Sequence, residues 1–206
     1  MKKIMVLMLV LCMFFNMFTV TSFALTTEDE TIVYQNENLN GELTRTVKAD
    51  GMIISEWRGA DGEVACTILY PGGRLYADGK LVGVLSVEQN RSSNEIGIYR
   101  LFALPNNINW GNWTNFSEKI HTGGQPAAVI TSMIGIVCPE GIPQLTADMI
   151  TQIQLSYDYL ELRGRIRYGT DETYSYFQRY SNLYGNGLTK EKIFPNEVYN
   201  EGRERL

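Results

Sequence analysis

The chain has 206 residues, 44% of them hydrophobic and 20% charged, with 18 Lys+Arg against 23 Asp+Glu and a net charge of −5. That length suffices for one domain with a sizeable core. The acidic balance excludes attraction to nucleic acid or anionic lipid through net charge.

The first element is a leader. Lys2 and Lys3 form a basic start, and Ile4 to Val20 is apolar apart from Asn16 and Thr19. Ser22 and Ala24 put small residues at the −3 and −1 positions of a cleavage site. The pattern predicts a secretory signal over residues 1–24, cut between Ala24 and Leu25, and a secreted protein. An uncleaved anchor is the alternative. Leu11 stands before Cys12, where a lipobox needs a small residue. Residues 25–206 then form a single secreted domain, with 16 Lys+Arg against 23 Asp+Glu. Residues 25–100 carry 12 acids and 7 bases, whereas residues 159–206 carry 7 and 8. An anion-binding surface is therefore expected toward the C-terminus.

Residues 31–104 read as an antiparallel β meander. Three Ala-Asp-Gly breaks, ending at Gly51, Gly62 and Gly79, supply the positive φ that tight hairpin turns need. They lack the dense carboxylates of calcium loops. In "EVACTILY", period two puts Val64, Cys66, Ile68 and Tyr70 on one face, taken as the inward one. "NEIGIYRLFAL", residues 94–104, adds a strand. The Asn-rich stretch "PNNINWGNWTNFS" follows and holds Trp110 and Trp113.

Residues 126–157 predict a helical hairpin broken at Pro139, Gly141 and Pro143. Its first half, Ala127 to Cys138, is apolar nearly all round. Its second, Gln144 to Tyr157, is amphipathic, with Leu145, Met149, Ile150 and Ile153 at helical spacing. Neither half reaches the roughly 20 residues of a membrane span. Two readings stay open: a buried hairpin, or one buried in the soluble form and released into a membrane.

Residues 159–184 predict a β hairpin around "GTDET". Leu160, Leu162, Ile166 and Tyr168 alternate with Glu161, Arg163, Arg165 and Arg167, which predicts one apolar–aromatic face and one arginine face. Residues 185–206 read as a loosely held polar tail. The predicted fold class is α+β: an antiparallel meander and a C-terminal hairpin enclosing a central apolar helical hairpin.

Cys66 and Cys138 have one internal pairing, and a disulfide between them is expected in an exported chain. Two buried free thiols are the alternative. No pattern for a metal, a cofactor, a phosphate loop or a serine nucleophile is present. Cys66 and His121 do not suit a Cys–His hydrolase, because Cys66 lies mid-strand and not at a helix start. Arg163, Arg165, Arg167 and Arg179 are candidates for binding phosphate or carboxylate groups. Trp110 and Trp113 are candidates for stacking on sugars or sitting at a lipid interface. Against these stand a solvated strand face and burial in the core.

The "WGNWTNF" segment, the small-residue apolar helical pair and the closing "YSYFQRYSNLYGN" together resemble the geobacillin-type large secreted bacteriocins and the secreted toxin-like proteins grouped with them in Gram-positive bacteria. The resemblance covers about residues 105–187 and is one of pattern. It implies a non-enzymatic antimicrobial or toxin-like protein acting on other cells, with the target-cell membrane or an envelope component as partner. The alternatives are an envelope-associated glycan- or protein-binding module without toxicity, and a secreted hydrolase using a carboxylate pair.

Overall fold

The computed structural model describes residues 29–85, 107–188 and 191–205. The signal segment with its Ala24/Leu25 junction and the strand expected over residues 94–104 lie outside them. The fold is α+β. Six strands form the first sheet in chain order: β1 (Glu30–Asn36), β2 (Gly41–Val47), β3 (Ile53–Gly59), β4 (Val64–Leu69), β5 (Arg74–Ala77) and β6 (Lys80–Val84). Every neighbour pair is antiparallel. The Asp-Gly breaks are the turns. Gly51 and Gly62 hold φ of 84° and 83°, values that a side chain would strain.

The second sheet holds β7 (Asn109–Trp110), β8 (Thr114–His121), β9 (Tyr159–Thr170), β10 (Tyr174–Gly185) and β11 (Val198–Arg205). Its order is β11-β10-β9-β7, with β8 also paired to β9. Between β8 and β9 the chain makes α1 (Ala127–Val137), a 3₁₀ turn (Pro139–Gln144) and α2 (Ala147–Ser156).

α1 is the centre of the core. All its residues but Ala127 are buried, and it packs on β3 and β4. Its small residues permit that approach. A Cβ on Gly135 would sit 2.4 Å from both Leu43 Cδ1 and Ser55 Oγ. One turn earlier, Ser132 Oγ lies 2.6 Å from Thr67 Oγ1. The 3₁₀ turn touches both β1 and β11 and so joins the sheets. Asn36 Nδ2 donates to the carbonyls of Ile142 (2.5 Å) and Leu145 (3.1 Å). α2 begins at Thr146, whose hydroxyl accepts from Met149 N. It buries Ile150 and Ile153 and leaves Thr151, Gln152 and Gln154 exposed. No helix among the described residues is long and apolar enough to cross a membrane.

Three expectations are corrected. The inward residues of β4 are Ala65, Thr67 and Leu69, not Val64, Cys66 and Ile68. Ala65 and Thr67 lie beneath the helix, with Thr67 against Ser132, while Val64, Cys66 and Ile68 turn outward. The Cys66–Cys138 disulfide is absent, and both thiols are free. Cys66 lies opposite Glu56 on the outer face, while Cys138 is fully buried beside Ser181 Oγ, 4.0 Å away. The tail after residue 185 is not loose. β11 pairs with β10 over eight residues, and Ile193, Phe194 and Val198 enter the core. Asn182 clamps this return: its Nδ2 donates to Phe194 O (2.9 Å) and Asn196 O (3.0 Å), and its Oδ1 accepts from Phe194 N (3.1 Å).

The free thiols give an expected result. Burial pushes Cys138 up to about 12, with Glu140 adding to the rise. Burial, then Glu56 and Asp78, also raises Cys66, but less. Iodoacetamide should alkylate Cys66 slowly in the native protein and Cys138 only after unfolding. Peptide mass mapping reads both. A Cys66–Cys138 cross-linked peptide would contradict the assignment.

Candidate functional site

The register of the second sheet decides which side chains meet on its outer face. Tyr180 pairs with Arg165, Gln178 with Arg167 and Tyr184 with Glu161. Residues directly opposite share a face. The tyrosines of β10 therefore stand on the same side as the arginines of β9, and the expected division into an aromatic and an arginine face is corrected. On β8, Asn115 is opposite Arg165 and Ser117 opposite Arg163; on β11, Tyr199 is opposite Tyr180.

The result is a ladder of alternating cations and rings. Arg167 lies over Trp110 (4.5 Å) and Trp113 (4.7 Å). Arg165 lies over Trp113 (5.2 Å) and Tyr180 (5.0 Å). Arg163 lies over Tyr184 at 5.6 Å, and Lys119 over Tyr159 at 4.9 Å. The rings also touch one another: Trp113–Tyr180 centroids are 5.6 Å apart and Tyr180–Tyr199 4.8 Å. Each exposed cation–π contact contributes about 0.5–1 kcal/mol. Gly169 leaves the space that the Trp110 ring fills, since a Cβ there would lie 2.8 Å from it.

Hydrogen bonds hold the flanks. Arg167 Nε and Nη2 donate to Gln178 Oε1 at 2.8 and 2.5 Å. Gln178 Nε2 donates to the Tyr199 hydroxyl at 2.9 Å, which donates in turn to Glu201. Burial and the Glu201 bond raise the Tyr199 pKa, so this hydroxyl stays protonated at neutral pH. Arg163 donates to Glu161 at 2.9 Å, and Ser117 Oγ donates to the other carboxylate oxygen.

Arg163, more than Ser117, holds the Glu161 carboxyl below its ordinary value of 4.5. A depressed carboxyl stabilises the fold above its unfolded pKa, and that contribution is lost as pH falls through the folded pKa. The melting temperature should therefore drop on acidification below 4.5. Glu161→Gln should flatten that part of the curve. A slope unchanged by the substitution would sink the assignment.

Among the expected binding residues, Trp110, Trp113, Arg163, Arg165 and Arg167 meet on this face. Arg179 does not. It has the other parity on β10 and turns inward, with Nη2 3.6 Å from Glu140 Oε2. Sequence reasoning missed Tyr180, Tyr184 and Tyr199 as partners of the arginines. Their parity was visible, but the hairpin register that pairs it with Arg165 was not. His121 ends β8 with its ring 6.3 Å from that of Tyr159, and no group of three or more potential metal ligands occurs among the described residues.

Lys119, Trp113, Arg165 and Tyr199 of the ladder face solvent. Trp113 is 37% exposed, and Arg165 is exposed and forms no ion pair or hydrogen bond among the described residues. Arg165 thus presents a guanidinium whose faces are stacked and whose N–H edges are open. Such a group suits a planar or tetrahedral oxyanion, with ring surface beside it for an apolar or sugar face. No protein-family model, curated protein or solved structure matches this chain.

Proposed function

We propose that this is a secreted, non-enzymatic protein that works by binding, and that the Trp–Arg–Tyr face of the second sheet contacts an anionic glycan-type component of the cell envelope. Arg165 carries the reading: it is fixed between Trp113 and Tyr180, open to solvent and without an ion-pair partner among the described residues. The face gathers Lys119, Arg163, Arg165 and Arg167 against Glu161 and Glu201 on a chain that is acidic as a whole. Local cations on an acidic protein favour a particular anionic partner over anionic surfaces in general.

The bacteriocin-like reading adds a consequence to this contact. Docking on a neighbouring cell's envelope is its first step, and growth inhibition its readout. Insertion of α1 into a membrane is not part of the proposal, because that helix fills the core.

Purified protein should bind anionic wall polymer and not a neutral glycan, with affinity falling as salt rises. Arg165→Ala with Arg167→Ala should weaken binding about tenfold or more and leave the fold intact. Trp113→Ala should also weaken it. Equal binding by these variants, or binding indifferent to salt, would reject the face as the contact. A growth-inhibition assay on the same proteins tests whether binding harms the target.

A further inference from the structure

The arginine row of β9 has a fixed interval. Arg163, Arg165 and Arg167 stand on one face at two-residue steps, and the pairings with β8 and β10 keep their register past them. Two residues of antiparallel strand span about 7 Å, so the row covers about 14 Å.

Each guanidinium keeps donors for a ligand. Arg163 donates to Glu161 through Nη2, and Arg167 to Gln178 through Nε and Nη2. Nη1 of each donates to no protein group among the described residues, and neither Nη1 is sealed from water. Arg165 has all its N–H groups open, and beside it stands Asn115, exposed and with no hydrogen bond from its amide.

The row also has two ends. Two residues before Arg163 the same face carries Glu161, whose charge the facing Lys119 only balances. Two residues after Arg167 comes Gly169, which the Trp110 ring covers. Three anionic groups, spaced about 7 Å apart, therefore fit the face.

Resting on the envelope contact proposed above, we infer that the partner is a linear poly(alditol phosphate), with three consecutive phosphates lying along β9. In a glycerol phosphate chain successive phosphorus atoms are joined by an acyclic link of six bonds, which spans about 7 Å when extended. The Asn115 amide meets a phosphate oxygen or an alditol hydroxyl beside Arg165. Other polyanions fit less well. Polygalacturonate turns successive carboxylates to different sides of its chain, so one row of cations meets only some of them. An extended acidic peptide has the right interval, but it would lay backbone N–H and C=O groups on a sheet face that offers them no partners. Single-stranded nucleic acid needs open ring faces for its bases. Here Trp113 already carries Arg165 and Arg167, and Tyr199 lies against Tyr180.

Calorimetry at low salt with glycerol phosphate oligomers of one to five units tests the inference. Each phosphate up to the third should tighten binding about threefold, as an exposed charge pair does. The fourth and fifth should add little. Arg167→Gln should move this plateau to two units, and Arg167→Lys should return it to three. Melting curves confirm that both variants are folded. Polygalacturonate, an alternating Asp-Ala peptide and oligothymidylate of equal charge should each bind about tenfold more weakly or worse. Affinity that climbs steadily through five units, or equal binding of any of these three, overturns the inference and leaves the face as an anion contact. Binding of no anionic polymer at all overturns the proposed contact as well.

Discussion

Ile134→Asp should destabilise the protein by roughly 5 kcal/mol, much of the 5–15 kcal/mol that holds a typical domain together. Ile134 is fully buried in α1 among Leu43, Ile53 and other core residues. An aspartate there loses the transfer energy of the isoleucine. It must also stay protonated or ionise without a counter-charge, and either state is costly. Leu155→Asp is the control. Leu155 is apolar but 79% exposed on α2, and its replacement should change stability by about 0.5 kcal/mol or less. Urea denaturation followed by tryptophan fluorescence measures both. Similar midpoints for the two variants would mean that α1 is not the core helix. The same pair bears on membrane release, because a helix that must leave this site gives up every contact that Ile134→Asp disrupts.

Glu140→Ala should cost about 3 kcal/mol, because it breaks a buried charge cluster from the middle. Glu140 belongs to the 3₁₀ turn and reaches Arg179 of the second sheet at 3.6 Å. It also feels the field of Arg45 on the first sheet, a residue only 1% exposed. The stem of Glu140 is partly exposed, but both carboxylate oxygens are sealed from water. Burial raises its pKa more than Arg179 and Arg45 lower it. The folded state therefore holds the proton more tightly than the unfolded chain does. Its contribution to stability is full below the ordinary value of 4.5 and declines as pH rises through the folded pKa, the opposite of Glu161. Glu140→Gln should flatten that decline. Glu140→Gln combined with Arg179→Met should lie closer to the native protein than Glu140→Ala does, since it removes a charge from each side of the pair. An unfolding free energy unchanged by Glu140→Ala would show that the cluster does not couple the sheets.

The parts of this fold legible in the sequence are those whose signal is local. α1 and α2 begin and end within a few residues of where apolar spacing and the Pro139–Pro143 break put them. The Asp-Gly turns are equally plain. Facing is another matter. In β4 both faces carry apolar residues, and period two cannot tell which of them meets a helix. The choice falls to Ala65 and Thr67 because Ser132 and Gly135 draw the helix backbone close, a fact about packing and not about the strand. β11 escaped notice for a similar reason. "VYNEGRER" has no apolar face of its own, and its pairing partners are the backbone groups of β10. The candidate site was half legible. The Arg163–Arg167 alternation and the WGNW pair were visible, but their union with Tyr180 and Tyr184 depends on a hairpin register that no single strand encodes.

The Asn182 clamp has a bearing on the timing of folding. The ring of Phe194 lies against Gly141, where a Cβ would come within 2.3 Å of it, so this side of the 3₁₀ turn is covered by chain that follows β10. At its other side the same turn is tied to Asn36, 106 residues before Ile142. Contacts this distant in sequence are slow to form, because much loop entropy is lost before they stabilise anything. The meander can pair early, strand by strand, but its inner face stays uncovered until α1 arrives, and the turn behind α1 until Phe194 does. During synthesis the chain therefore remains open until residues near 194 have emerged. An open chain is still threadable, which is the condition a protein must meet to cross a membrane before it folds.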